Sequence, residues 1–168
     1  AEGNYHFKEF IGSDKAMASL FEAFVRNFYR KEQLMFTVRR ENIDWDAIPV
    51  GGNSASYLPK MQTDVTLESE NRKIILETKY YASALNSRFE GEKFHSGNLY
   101  QIFTYVKNLD TSNSGNVAGM LLYAKTDEIV LPNNDYKMGG NQISVKTLDL
   151  DCEFAEIKRQ LDDIVQRY

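Results

Sequence analysis

Asp64, Glu77 and Lys79 are the residues whose types and spacing could do chemistry. They lie in Thr63-Asp64-Val65 and in Ile74-Ile75-Leu76-Glu77-Thr78-Lys79-Tyr80, on either side of the polar run Ser69-Glu70-Asn71-Arg72. Two neighbouring carboxylates bind a hard divalent cation, and a lysine beside them can steer an anion or hold a water. That is the equipment for metal-dependent phosphodiester hydrolysis.

The polar run reads as a hairpin loop between two β-rich segments. With Glu70 and Asn71 at its tip, Asp64 falls opposite Glu77, Gln62 opposite Lys79, and Glu68 opposite Lys73. Val65 faces Leu76 and Leu67 faces Ile74, so apolar pairs separate from charged ones, as strand alternation requires. Carboxylates on neighbouring strands would sit roughly 5 Å apart, with Lys79 about 7 Å further along the same face. A slip of one residue would turn Asp64 away from Glu77. The solvated polar face of a two-stranded edge accounts for the same residues equally well.

The elements around the hairpin must position these side chains. Residues 1–12 read as a lead-in and 13–168 as one domain. Ser13 or Asp14 can cap a helix from about Lys15 to Glu32, in which Met17, Leu20, Phe21, Phe24, Val25 and Phe28 form one apolar stripe. Glu22 borders that stripe, where it can reach a nearby metal or remain a solvated helix residue. Met35–Arg39 reads as a strand, and 46–60 as a loop. Asn98–Leu109 reads as a helix that places Gln101 and Tyr105, an i,i+4 pair, on one face. Gly119–Tyr123 has the continuous apolar character of a buried strand. Glu128–Leu131 and Gln142–Leu148 are further strand candidates, joined by a Gly139-Gly140-Asn141 turn, and a last helix spans about Cys152–Arg167. The order argues for a mixed central sheet flanked by helices, an α/β architecture.

At 168 residues the chain is large enough for one domain with its own core. No apolar run is long enough to span a bilayer, so no membrane partner is expected. The single cysteine, Cys152, excludes a disulfide framework and makes a reducing, cytoplasmic setting the default. The net charge of -4 opposes long-range attraction to nucleic acid. It suits a subunit that a partner brings to nucleic acid. His95 reads as a surface histidine, Trp45 as a structural aromatic, and Cys152 as a packing residue without a base at helical spacing. Gly51-Gly52 lacks the Gly-Lys-Ser/Thr that completes a phosphate-binding loop, so a nucleotide-driven motor would be another chain.

With these residues in place, the chain resembles the PD-(D/E)xK nuclease superfamily. Met61-Gln62-Thr63-Asp64 stands for the first half of its motif, with Thr63 where the pattern has proline, and Glu77-Thr78-Lys79 for the second. Gln101-Ile102-Phe103-Thr104-Tyr105 matches the Gln-xxx-Tyr motif of the RecB-like branch. From about Met17 to Val165 the chain is similar to the C-terminal nuclease region of McrC-type subunits of the McrBC 5-methylcytosine-dependent restriction system. Leu20–Val25, Leu76–Tyr81 and Asn98–Ile102 carry that likeness.

The resemblance implies a restriction-endonuclease-like fold and an endodeoxyribonuclease that uses Mg²⁺, with Mn²⁺ as a substitute. It implies metal ligands at Asp64, Glu77 and the Thr78 backbone carbonyl; Glu22, from its place on the helix, is either a further metal contact or a solvated residue. Lys79 would hold or activate a water, and Gln101 and Tyr105 would orient the lysine or the DNA. The implied partners are DNA and an AAA+ GTPase of McrB type. Two rivals stand beside this reading. One is a catalytically inert DNA-binding or assembly module of the same fold, which the complete acid–acid–lysine set opposes. The other is a RecB-like repair nuclease, whose relatives often carry an iron–sulfur cluster that one cysteine cannot hold.

Overall fold

The computed structural model describes residues 14–80, 85–86, 93–125 and 131–168. The lead-in with His6, Ser13 and all but Leu131 of the candidate Glu128–Leu131 strand lie outside the described residues. Helix α1 spans Asp14–Glu32 and leads into the short strands β1, Thr37–Arg39, and β2, Asn42–Ile43. After the 46–60 loop, which holds a single 3₁₀ turn at Ala55–Tyr57, come β3, Met61–Gln62, and β4, Val65–Glu68. β5 is Lys73–Lys79, and a small pair follows, β6, Leu85–Asn86, with β7, Lys93–Phe94. Helix α2, Ser96–Leu109, precedes β8, Val117–Ala124. β9, Asn133–Met138, β10, Asn141–Leu148, and α3, Phe154–Gln166, complete the order.

Six strands form one sheet in the order β1-β4-β5-β8-β10-β9. β5, β8 and β10 run parallel at its centre, and antiparallel strands flank them. Helices cover both faces, which explains why the central strands read as unbroken apolar runs. Val65, Leu67, Ile74, Leu76, Met120 and Leu122 pack on one face with Phe21, Val25 and Phe28 of α1 and Leu161 and Ile164 of α3. Tyr29 Oη donates to the Leu161 carbonyl at 2.8 Å and ties those helices together. On the other face Ile75, Leu121, Tyr123, Ile143 and Val145 pack with Ile102, Tyr105 and Val106 of α2. This is the mixed sheet flanked by helices that the element order predicts. Among the described residues no helix is long and apolar enough to cross a membrane.

The three predicted helices appear within two residues of their expected bounds. The Met35–Arg39 strand enters the ladder only at Thr37, although Phe36 is already buried. β9 has no counterpart in the sequence reading. It is a polar edge strand, Asn-Asn-Asp-Tyr-Lys-Met, with no apolar alternation to betray it.

Two devices fix α2 over the sheet. Asp110 accepts hydrogen bonds from the N–H and Oγ of Ser114, from the Gly115 N–H and from Asn141 Nδ2, which ties the α2–β8 loop to the start of β10. Burial would raise its pKa, but these donors outweigh it and hold the carboxyl at about 2. Under the helix, Gly119 leaves no room for a side chain: an added Cβ would meet Val106 Cγ2 at 2.6 Å and Ile102 Cγ1 at 2.8 Å.

Candidate active site

The β4–β5 hairpin has the predicted register: Val65↔Leu76, Thr66↔Ile75, Leu67↔Ile74 and Glu68↔Lys73. At its closed end Ser69 N–H donates to the Arg72 carbonyl at 2.9 Å, which makes that pair a hydrogen-bonded one. Alternation makes Leu67·Ile74 and Val65·Leu76 the next hydrogen-bonded pairs, and Thr63·Thr78 the one after. That last pair never forms. Thr63 N–H donates to the Glu41 carbonyl instead, at 2.9 Å. The predicted pairing of Gln62 with Lys79 is therefore wrong: Gln62 pairs with Asn42, because the chain has moved to a second, two-stranded sheet.

The departure is a β-bulge. β1 pairs with β4 as Arg39↔Thr66, whereas β2 pairs with β3 as Asn42↔Gln62, with Glu41 bonded to Thr63 between them. Arg40 thus stands opposite both Asp64 and Val65, two residues against one. The extra residue lets the hydroxyls of Thr63 and Thr66, three positions apart, meet at 2.8 Å in the interior.

Where the ladder fails, Thr78 of β5 loses its partner, and Asp64 takes that place with its side chain. Asp64 Oδ2 accepts from the Thr78 N–H at 2.8 Å and from its hydroxyl at 2.9 Å. A strand residue's N–H and C=O leave the backbone on the same side, so the Thr78 carbonyl points into the same gap. Its ladder donor would have been the Thr63 N–H, which goes to Glu41. Glu77 Oε1 accepts from the Asp64 N–H at 3.0 Å. Among the described residues, Asp64 Oδ1 and Glu77 Oε2 accept no hydrogen bond.

Electrostatics set the pair apart. Glu77 is 3% exposed, and burial, followed by repulsion from Asp64, pushes its pKa up to about 8. Burial and then the Glu22 charge raise the Asp64 pKa, against the hydrogen bonds from Thr78. Two buried carboxylates, beside a carbonyl that the hairpin ladder leaves unpaired, are a donor set for a hard, oxygen-seeking cation.

Lys79 and the α2 residues complete the cleft. Lys79 Nζ donates to Gln101 Oε1 at 2.8 Å, and Gln101 Nε2 donates to the Tyr105 hydroxyl at 3.3 Å. The i,i+4 pair thus forms a chain that begins at the lysine and ends in the core. Glu22 also lines the cleft, but its Oε1 lies 2.8 Å from Arg26 Nη1 and 3.5 Å from Arg40 Nε. Among the described residues no group of three or more acidic, histidine or cysteine side chains gathers as a metal cluster. Glu22 is paired with both arginines in this arrangement. The cleft encloses about 330 Å³ and includes Lys15 and Ser19 on its α1 side. A second hollow of about 410 Å³, between β10 and α3, holds none of these residues, and its Lys146 is tied to Asp135 at 2.8 Å.

The sequence reading did not single out Arg26 or the Thr63–Glu41 contact. Arg26 Nη1 also donates to the Asp64 carbonyl at 3.1 Å, across 38 positions of sequence. Its i,i+4 spacing from Glu22 was the available signal. Trp45 has the structural role expected of it, donating to the Pro59 carbonyl at 2.7 Å. Cys152 packs half-buried two residues before α3 and donates to the Asp149 carbonyl at 3.3 Å. His95 stands immediately before α2.

A six-stranded mixed sheet between helices, with two acids and a lysine meeting where its central hairpin splays open, defines a restriction-endonuclease-like fold of the PD-(D/E)xK type. Comparison with known proteins agrees. Residues 15–124 match the family described as McrBC 5-methylcytosine restriction system component, and the chain belongs to that family as a McrC-type subunit. It is 35% identical over 167 residues to the Type IV methyl-directed restriction enzyme EcoKMcrBC of Escherichia coli (strain K12). That alignment takes in 99% of this chain and 47% of the relative, so the chain spans about half the length of the curated protein it matches.

Proposed function

We propose that the chain is a Mg²⁺-dependent DNA endonuclease, the cutting component of a modification-dependent restriction system. The observation that carries this reading is the opening of the β4–β5 ladder. Asp64, Glu77, Thr78 and Lys79 line one cleft there, and Asp64 Oδ1, Glu77 Oε2 and the Thr78 carbonyl are the oxygens we assign to the ion. These atoms would hold Mg²⁺, or Mn²⁺ in its place, and the remaining positions would be water, as Mg²⁺ prefers. When bound, the ion supplies Lewis acidity to a scissile phosphate and an attacking water.

The chain's own residues do the rest. Both carboxylates bind a cation in their ionised form, which the raised pKa of Glu77 resists until a cation arrives. Lys79 holds the attacking water and offsets negative charge that grows in the transition state. Gln101 fixes the lysine's direction, and Tyr105 fixes Gln101. Lys15 on the opposite wall supplies a cation for the DNA backbone.

The name of the Escherichia coli relative supports a role in methyl-directed restriction, with DNA as substrate. We extend the reading to an AAA+ GTPase motor of McrB type as partner and to the cytoplasm, where such a system meets DNA. The net charge of -4 fits a subunit that needs its partner to reach DNA. The test is plasmid nicking with Mg²⁺ or Mn²⁺, with and without the GTPase, comparing wild type with Asp64→Ala and Lys79→Ala. Nicking by wild type that both substitutions abolish is the expected result. Nicking that survives both removes these residues from the mechanism.

A further inference from the structure

We propose that Thr63 is a positioning residue: its clamp on Glu41 keeps the sheet open where Asp64, Glu77 and Thr78 meet. The proposal rests on the metal-dependent reading and names the device that shapes its site.

Two arrangements of this segment exclude one another. In a continued ladder, Thr63 N–H would donate to the Thr78 carbonyl, and Thr78 N–H to the Thr63 carbonyl. Asp64 would then lose the amide that orients its carboxylate, and the Thr78 carbonyl would be covered. In the observed arrangement Thr63 N–H donates to the Glu41 carbonyl at 2.9 Å. One N–H cannot serve both partners.

The choice is made by the Thr63 side chain. Its Oγ1 accepts from the Glu41 N–H at 3.0 Å and shares a hydrogen bond with Thr66 Oγ1 at 2.8 Å. Thr63 and Thr66 are both fully buried, so these bonds have no water to replace them. Glu41 is itself anchored: Lys73 Nζ lies 2.8 and 3.1 Å from its two carboxylate oxygens, and Arg39 Nη2 lies 2.6 Å from Oε2. Thr63 is fully buried and is not among the residues that line the cleft. It acts by deciding which strand its own backbone pairs with, and so where Asp64 stands.

Thr63→Val keeps size and shape and removes the hydroxyl, whereas Thr63→Ser keeps the hydroxyl. Three measurements on the full chain separate the outcomes: the Thr78 amide resonance without metal, Mn²⁺ affinity by calorimetry, and kcat and KM in plasmid nicking. For folded Thr63→Val we expect a moved Thr78 amide, Mn²⁺ affinity lower by about tenfold or more, and reduced kcat at unchanged KM for DNA. Thr63→Ser should restore wild-type values. A folded Thr63→Val with the wild-type Thr78 amide and Mn²⁺ affinity overturns the proposal.

Should Thr63→Val not fold, Lys73→Met loosens Glu41 from outside the bulge and should move the same resonance in the same direction. An unmoved resonance there overturns the proposal as well. Wild-type protein that neither binds Mn²⁺ nor cuts DNA defeats the nuclease reading instead, and the metal-free amide comparison still decides the role of Thr63.

Discussion

The main-chain N–H of Asp64 donates to the side chain of Glu77 at 3.0 Å, so one carboxylate of the pair holds the backbone of the other. Glutamine at position 77 can still accept that bond through its amide oxygen. Glu77→Gln should therefore keep Asp64 in place and the fold intact while it removes one of the two charges. The expected outcome is loss of Mn²⁺ binding in calorimetry with no loss of melting temperature. Glu77→Ala releases the Asp64 N–H as well and should also melt lower.

A pH dependence follows from the same pair. The Glu77 pKa stands at about 8 against an ordinary 4.5, raised by burial and then by Asp64, whose own pKa is also raised. A carboxyl raised on folding contributes its full stability below the unfolded value and loses it as pH rises through the folded one. The metal-free protein should thus lose stability between pH 4.5 and about 8. The loss is on the order of a few kcal/mol, each worth roughly 2–4 °C in Tm for a domain of this size. Mn²⁺ should flatten the curve, and Glu77→Gln should flatten it without metal. A melting temperature that climbs steadily across this window in the metal-free wild type would contradict the assignment.

Along the lysine arm, losses should fall off with distance from the reacting phosphate. Lys79→Ala removes a charge aimed at the transition state and should lower kcat by about 10²–10³. Gln101→Ala leaves the lysine present but undirected, and we expect a loss of roughly tenfold. Tyr105→Phe removes only the hydroxyl that Gln101 Nε2 meets at 3.3 Å and should cost less still. Single-turnover cleavage at saturating metal ranks the three, and Mn²⁺ affinity should be unchanged in each.

Arg26 joins α1 to the bulge by bonding both Glu22 and the Asp64 carbonyl. Among the described residues, Arg26→Met leaves Glu22 with Arg40 alone and the Asp64 carbonyl without this donor. Loss of a largely buried charged hydrogen bond costs about 1–3 kcal/mol, which urea denaturation resolves. Cleavage should fall beyond what the unfolded fraction explains, because Asp64 loses one of its restraints. Arg26→Lys keeps a charge near Glu22 and should recover part of both effects.

Much of this was legible in the sequence. The sum rule of a two-residue hairpin tip gave the β4–β5 register, and Gln101 and Tyr105 fell on the correct helix face because 3.6-residue periodicity is strong in Asn98–Leu109. What escaped depends on strands distant in sequence. Nothing near Asp64 announces that Thr63 will leave Thr78 for Glu41, since the bulge exists only relative to Arg40 on another strand. The Gln62–Lys79 pairing failed for that reason. The spacing of Arg26 from Glu22 showed their ion pair, but its bond to the Asp64 carbonyl, 38 positions away, carries no side-chain signature. β9 was invisible because an edge strand facing water needs no apolar alternation.

Gly119 tests whether the helix must lie this close. α2 rests directly on β8 at that glycine, and an added methyl would meet Val106 Cγ2 at 2.6 Å and Ile102 Cγ1 at 2.8 Å. Both side chains are fully buried, so neither can swing away into solvent. Gly119→Ala must lift the helix or force strained rotamers, at a cost of about 1–3 kcal/mol. Lifting α2 carries Gln101 with it, and the 2.8 Å contact to Lys79 is the link it would stretch first. The variant should therefore melt lower and lose cleavage to about the extent of Gln101→Ala. Combining Gly119→Ala with Gln101→Ala should cost no more activity than the larger single loss, since both act through the same hydrogen bond. Additive losses in kcat would mean that the close approach serves the core alone.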